Sequence, residues 1–254
     1  MAVHVAFHGV LLFPSILRPS VMAEVKAKRF IQSSDAPDGQ AYCTNFGAHK
    51  PGMSMTEVAE YYSKWAGEYE QDLNQDRYQG PYYACMAVTE AFPVDTTNRK
   101  SVSILDVACG TGFLGEKLKK EGFVNVDGLD PSDKMLDVAR AKNIYNKLYC
   151  EFMSDATLPI DNGKYSCVAV AGGMGEGHIP CAALTEMIRI VKPGGYIIIV
   201  MREEYLTHVQ EYAGKLENFF LKLEKEGKWK RCSQTVVPKY SFDNNGIIFK
   251  FKVC

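Results

Sequence analysis

The stretch Ile104-Leu105-Asp106-Val107-Ala108-Cys109-Gly110-Thr111-Gly112-Phe113-Leu114-Gly115 holds the residue types and spacing in this chain best suited to chemistry. An apolar run ends in a glycine bend that opens a helical pattern. Gly110 and Gly112 let the backbone approach a ligand where a Cβ would clash. The helix start beyond them offers unpaired N–H groups and the positive end of a dipole to a carboxylate or phosphate. Gly110, Gly112 and Gly115 also spell GxGxxG, a dinucleotide fingerprint that is weak when it stands alone. Two acids separate the ligands. Asp130 closes the next apolar run, about twenty residues beyond Gly110, where a carboxylate can accept both hydroxyls of a ribose. Asp106 stands in the first run, beside the bend. There it would repel a pyrophosphate and suit a ligand bearing an ammonium group, such as the methionyl end of S-adenosylmethionine. The bland alternative is an acid satisfied by loop N–H groups.

A second concentration lies at Gly172 to Gly177, which holds four glycines and one acid. It follows an apolar strand pattern, at the edge of an open α/β sheet where ligands sit. Glu176 and His178 are the candidates there for touching substrate or serving as a base. The competing role for His178 is to fix the turn into a helix at Pro180. The eight cysteines form no CxxC pair and the five histidines are scattered. That reads as reduced thiols, with no disulfide framework and no expected metal site.

These residues need elements to hold them. The 254 residues, 46% hydrophobic and 23% charged, suit one large α/β domain at residues 56–254. Thr56, with Glu57 in the first turn, predicts a helix carrying Tyr61, Tyr62, Trp65 and Tyr69 at helical spacings. A second helix is expected over Pro81 to Phe92. Strands follow at Val102–Val107, Val124–Leu129, Lys147–Met153, Tyr165–Ala171 and Tyr196–Met201. Helices lie between them at Gly112–Glu121, Ser132–Lys142 and Pro180–Val191. Such alternation implies a mostly parallel sheet with helices on both faces. A long helix is expected from Tyr205 to Glu226. Two strands around Asp243-Asn244-Asn245-Gly246 then predict a hairpin centred on Asn-Gly, which adds an antiparallel strand.

The motifs, taken in order, resemble a known family. Asp106-Val-Ala-Cys-Gly-Thr-Gly112, Gly128-Leu-Asp130-Pro-Ser132-Asp-Lys-Met135, Asp155-Ala156 and Lys192-Pro-Gly-Gly195 look like the successive motifs of class I S-adenosylmethionine-dependent methyltransferases. The likeness covers roughly Thr56 to Met201. Within the family it is nearest to the methyltransferase-like group of the Williams–Beuren syndrome region, through the Tyr/Trp-rich helix and the Gly173–His178 stretch. The resemblance implies a Rossmann-like methyltransferase fold and S-adenosylmethionine as cofactor. It places Gly110 and Gly112 at the methionyl part, Asp106 near the amine and Asp130 on the ribose. Pro131 and Met135 would pack against adenine. Asp155 would accept from the adenine amino group, and the Ala156 N–H would donate to a ring nitrogen. Trp65 and Tyr69 would form a lid, with packing on the core as the alternative.

The expected activity is in-line methyl transfer to a small-molecule acceptor. A non-catalytic sensor or partner subunit holding the cofactor is the second reading. A nicotinamide-dependent oxidoreductase is opposed by Asp106, the Asp155-Ala156 pair and the terminal hairpin. The formal charge of −1 argues against a broad phosphate-binding face, and no nucleic-acid-binding module accompanies the core. Gly-Gly-Met-Gly stands where base amino-methylating enzymes carry Asn/Asp-Pro-Pro-Tyr/Phe. Pro180-Cys181 imitates a cytosine-C5 nucleophile, but the proline more simply starts a helix. No apolar run is long enough to span a membrane. The expected location is cytoplasmic, with a nuclear one also compatible. Residues 1–55 read as a disordered extension, or as a transit peptide interrupted by Pro14 and Pro19.

Overall fold

The computed structural model describes residues 39–254. The chain divides into two units at Cys43 and Thr44. Of the first, the described residues hold only the opening turn of helix α1 (Gly39–Gly47). Pro14 and Pro19, where a transit peptide would be interrupted, lie outside the described residues. Ordered chain begins well before Thr56, with Asn45 and Ala48 both buried inside the second unit. Residues 44–55 therefore belong to the second unit, and residues 1–38 of the extension expected over 1–55 lie outside the described residues.

In the second unit the sheet comprises β1 (Ser103–Val107), β2 (Asn125–Leu129), β3 (Leu148–Tyr149), β4 (Tyr165–Ala171), β5 (Val191–Arg202), β6 (Trp229–Ser241) and β7 (Asn244–Val253). Their order is β3-β2-β1-β4-β5-β7-β6. The first five run parallel, and β7 inserts antiparallel between β5 and β6. From β1 the chain first winds one way to β2 and β3, then crosses back to β4. The carboxyl ends of β1 and β4 therefore flank a crevice at the reversal point, the usual ligand position in open α/β sheets.

Strand residues alternate between two cores. Leu105, Val107, Val168, Val170, Ile197 and Ile199 face one side; Ile104, Cys167, Ala169, Ile198 and Val200 face the other. With both faces covered, β1, β4 and β5 are nearly continuous in apolar residues, as buried parallel strands are. Helices α2 (Met55–Trp65), α3 (Tyr69–Asp72) and α4 (Gly80–Ala91) precede β1. Helices α5 (Phe113–Lys120), α6 (Asp133–Ala141) and α7 (Ala183–Ile190) connect the parallel strands, and α8 (Tyr205–His208) and α9 (Leu216–Lys225) follow β5.

Several local expectations change. The helix expected to carry Tyr61, Tyr62, Trp65 and Tyr69 ends at Trp65, and Tyr69 opens α3 after a turn. The N-cap of α2 is Ser54 rather than Thr56: Ser54 Oγ accepts from the Glu57 N–H at 3.3 Å, and Glu57 Oε2 accepts from the Ser54 N–H at 2.8 Å. That reciprocal pair is a capping box, and it satisfies two helix-end donors. The strand expected over Lys147–Met153 shrinks to β3, because Phe152 and Met153 leave the sheet to line a cleft. The long helix expected from Tyr205 breaks into α8 and α9. Between them Tyr212 is pulled inward, its hydroxyl donating to the Ile179 carbonyl at 2.6 Å. The terminal hairpin pairs Ser241 with Asn244, so its turn is centred on Phe242-Asp243 and not on Asn245-Gly246. The segment before α4 sets this register: Gln79 N–H donates to the Tyr240 carbonyl at 2.8 Å and Phe242 N–H to the Arg77 carbonyl at 2.6 Å.

Candidate active site

The glycine bend after β1 forms because Ala108, Gly110 and Gly112 take left-handed backbone angles, with φ of 55°, 53° and 98°. At Gly110 a Cβ would meet nothing within 4 Å. Its absence is thus not demanded by packing inside the protein; the backbone there faces open space. The bend is tied to β2 by Asp130, whose Oδ2 accepts from the Gly110 N–H and Oδ1 from the Ser132 N–H, each at 2.9 Å. Ser132 then caps α6 by accepting from the Met135 N–H at 3.2 Å. One acid therefore joins the bend, the end of β2 and the start of α6.

Asp106 is 1% exposed, and its Oδ2 accepts from the Tyr145 hydroxyl at 2.7 Å. Burial is the largest influence on both acids and disfavours their charged forms. It raises Asp106 to about 7 against the Tyr145 hydrogen bond, with Asp130 adding repulsion. Asp130 is raised to about 6, with the Ser132 and Gly110 N–H groups opposing. Thr111 Oγ1 is buried with no hydrogen-bond partner among the described residues. Two buried acids, an orphan hydroxyl and an open glycine backbone make a polar site built for something besides this chain.

Three clefts meet here. The first takes in about 480 Å³, counted with its opening to solvent, between Asp130, Pro131, Phe152, Met153, Ala108 and Tyr62. The third reaches Asp106, Gly110, Thr111 and Phe113 on the other side of the bend. Between them a middle chamber is walled by tyrosines, His49 and Arg202. The consecutive residues Ala171, Gly172 and Gly173 at the end of β4 contribute to the third, middle and first clefts respectively. Tyr62 is shared by the first two clefts, and Tyr69 and Tyr78 by the middle and third. An elongated ligand with a nucleoside at one end and an amino acid at the other fits this layout: apolar walls with a ribose-binding acid on one side, and an acid with open backbone on the other.

The structure brings Asp106, Gly110, Asp130, Pro131, Tyr69 and His178 to these clefts. Gly112 stands at the N-terminus of α5. Met135 is buried and lines none of the three. Asp155 and Ala156 are exposed outside the linings, and the Ala156 N–H donates to Ser154 Oγ at 3.2 Å. Glu176 also lies outside them, its Oε1 accepting from the Gly52 N–H at 3.2 Å. His178 Nδ1 sits 2.7 Å from the Glu176 carbonyl, which can only accept, so that nitrogen carries the proton. Nε2 is then free to accept from the Tyr62 hydroxyl at 3.2 Å. Burial lowers His178 to about 4, which keeps this neutral form at physiological pH.

Of the expected lid pair, only Tyr69 faces the clefts. Trp65 is 5% exposed and its Nε1 donates to Asp72 Oδ2 at 2.8 Å. Its indole backs the Tyr62 ring at 5.9 Å and the Tyr69 ring at 4.9 Å between centroids. The lid surface is therefore Tyr62 and Tyr69, with Trp65 as their support. Trp65→Ala is accordingly expected to cost the apo protein about 3–5 kcal/mol, read as a lower Tm. An unaltered apo Tm with weakened cofactor binding would return the indole to the lid. The covering segment is fastened to the core by Lys142, which bridges Glu70 and Glu116, and by Ser63 Oγ to Ser132 Oγ at 2.8 Å.

Tyr62, Tyr78, Tyr145, His49 and Arg202 were not expected at the site. Tyr62 shared the helical stripe with Trp65 and was legible in part. The others carry no local motif.

Comparison with known proteins agrees with this geometry. A family model described as a methyltransferase domain matches residues 104–195. Methyltransferase-like protein 27 of Homo sapiens is 32% identical over 175 residues, covering 69% of this chain and 69% of that protein. The demethylmenaquinone methyltransferase of Lactococcus lactis subsp. lactis (strain IL1403) is 31% identical over 156 residues, covering 54% of this chain and 60% of that protein. Among solved structures, a SAM-dependent methyltransferase from Aquifex aeolicus superposes with a TM-score of 0.54 at 17% identity, over 76% of this chain and 98% of that one. That likeness speaks for the fold. Together with the open glycine bend and its two buried acids, the sequence match establishes that this chain belongs to the S-adenosylmethionine-dependent methyltransferases.

Proposed function

We propose that this enzyme methylates a small-molecule acceptor by in-line transfer, and that it belongs with the methyltransferase-like group of the Williams–Beuren syndrome region. The observation that carries the small-acceptor reading is the lining of the middle chamber: among the described residues, the Tyr62, Tyr69 and Tyr78 rings converge on it with residues from α1, β5, β6 and the turn after β4.

S-adenosylmethionine, when bound, supplies a methyl group already activated on a sulfonium. The chain's own work is to bind, align and exclude water. Asp106 offers a carboxylate to the amine, and the Gly110 and Gly112 backbone accommodates the methionyl part. Asp130 receives the ribose hydroxyls while remaining anchored to the bend. Leu129, Pro131, Phe152 and Met153 supply the apolar wall for the base. Burial raises the Tyr62 and Tyr69 hydroxyls, so both stay protonated and act as neutral walls. Neutral His178 is positioned to hold the Tyr62 hydroxyl or to receive a proton if the acceptor must lose one.

The decisive measurement is transfer of label from methyl-tritiated S-adenosylmethionine into a cell extract, followed by separation of small from large solutes. Label is expected among the small solutes. Label confined to protein or nucleic acid would overturn the small-acceptor reading. Absence of label anywhere, with cofactor still bound, would favour a sensor or partner subunit.

A further inference from the structure

The glycines around the bend answer to two different neighbours. Gly110 faces open space, but a Cβ at Gly112 would meet Ile144 Cδ1 at 2.6 Å and Tyr145 Cε2 at 3.3 Å. A Cβ at Gly115 would meet the Tyr145 hydroxyl oxygen and Cζ, each at 2.6 Å. At Gly128 in β2 the Cβ position lies 3.4 Å from Tyr145 Cδ1. The Tyr145 ring thus sits in a slot that three glycines leave for it. Tyr145 belongs to the loop between α6 and β3 and lines none of the three clefts. Its hydroxyl donates to Asp106 Oδ2 at 2.7 Å, and Asp106 does line the third cleft. A residue serving only to fill the slot would need no hydroxyl, since phenylalanine has the same ring.

We propose that Tyr145 is a positioning residue for the cofactor: from behind the bend, its hydroxyl holds the Asp106 carboxylate in the orientation and the charge state that an ammonium group requires. The proposal rests on the cofactor reading above and adds to it a residue that does not touch the ligand. Three physical arguments support it. A short hydrogen bond from a hydroxyl to a carboxylate is charge-assisted and favours the charged acid over the neutral one. Burial, with Asp106 and Cys109 beside it, holds the Tyr145 hydroxyl well above its ordinary range, so it stays protonated and remains a donor. The other surroundings of the carboxylate give its charge little help. Burial disfavours the anion most, and Asp130 across the bend repels it; the Tyr145 hydroxyl and the Gly115 N–H act the other way. The cleft in front of it is lined, among the described residues, by Tyr69, Tyr78, Thr111 and the Cys109 thiol, with no cation. Burial keeps that thiol protonated and uncharged.

The test reads ionisation, which packing alone would not move. S-adenosylhomocysteine is titrated calorimetrically into the wild type and into Tyr145→Phe at about pH 6.5 and about pH 8.5, on either side of the Asp106 transition. Phenylalanine keeps the ring in its slot and removes only the donor, so Asp106 should be less charged in the apo variant. The variant is expected to bind more weakly than the wild type, by a factor about fivefold larger at the lower pH, as loss of one charge-assisted hydrogen bond implies. Comparing the two proteins at each pH cancels the ligand's own titration. In the Asp106→Asn background, Tyr145→Phe is expected to lose this pH dependence. Gly115→Ala reaches the same contact from the other side, because its Cβ must push the Tyr145 hydroxyl away. It is expected to shift the profile in the same direction, and it decides the question should Tyr145→Phe fail to fold. A loss equal at both pH values, or no loss, would overturn the positioning role. So would a pH-dependent loss that persists in the Asp106→Asn background. Failure of the wild type to bind S-adenosylhomocysteine would overturn the cofactor reading and this proposal with it.

Discussion

Gly110→Ala is expected to keep the fold and lose the cofactor. The backbone at Gly110 has φ of 53°, and an added Cβ would meet no protein atom within 4 Å. An alanine there bears only the left-handed penalty of about 1–2 kcal/mol. Ala108, already at φ of 55° in the same bend, shows that the loop accepts such a residue. The methyl group would, however, stand in the space a bound ligand must enter, and overpacking of that kind costs about 1–3 kcal/mol. S-adenosylhomocysteine affinity should fall about 10- to 100-fold beyond any change in stability. Gly122→Ala is the matched control: its φ is 87°, its Cβ position is equally open, and it lies at the far end of α5. Similar small losses of Tm in both variants, with affinity lost in Gly110→Ala alone, are the expected calorimetric pattern. Unimpaired binding by Gly110→Ala would place the ligand elsewhere.

The second large effect is one of pH. Asp106 is raised to about 7 and Asp130 to about 6, both chiefly by burial, from 3.8 in the unfolded chain. Between roughly pH 4 and 7 the folded apo protein therefore holds more protons than the unfolded chain. Stability contributed by these acids is full below their unfolded pKa and is lost as pH rises through 6 to 7. Cofactor binding has the opposite sign, because an ammonium group and ribose hydroxyls favour the charged carboxylates. From Asp106 alone, raising the pH from about 5.5 to about 8 should increase S-adenosylhomocysteine affinity about thirtyfold. Asp106→Asn imitates the protonated acid. It should flatten most of that dependence and leave the apo form at pH 8 no less stable than the wild type. A wild-type affinity independent of pH across this window would mean that the Asp106 carboxylate does not face the amine.

Asp106, Gly110, Asp130 and Pro131 reach the clefts and were legible because they are set locally, whereas Met135, Asp155 and Ala156 line none of them. A glycine bend, an acid within the preceding strand and an acid at the end of the next strand are features of short segments and their backbone angles. The alternation of apolar runs with helical patterns likewise led to the parallel sheet, and β4 was bounded correctly at Tyr165 and Ala171. Local signals failed where a distant partner outweighed them. The Asn-Gly pair that should have centred the hairpin yields to Phe242-Asp243, since the Tyr78 segment pins the register from outside the hairpin. The helical pattern after Tyr205 breaks because Tyr212 finds a better hydrogen bond inside the fold.

From the sequence alone came the cofactor class, the order of the core elements and the two acids, because these depend on spacing along the chain and on each residue's own conformational preference. The middle chamber was decided by tertiary structure. Arg202 and Asn45 are 157 residues apart and carry no motif; His49 and His178 stack at 4.6 Å although far apart in the chain. Such groups acquire a common environment only when folding removes the water between them, and nothing in a residue's neighbours along the chain records which distant charge or ring it will face.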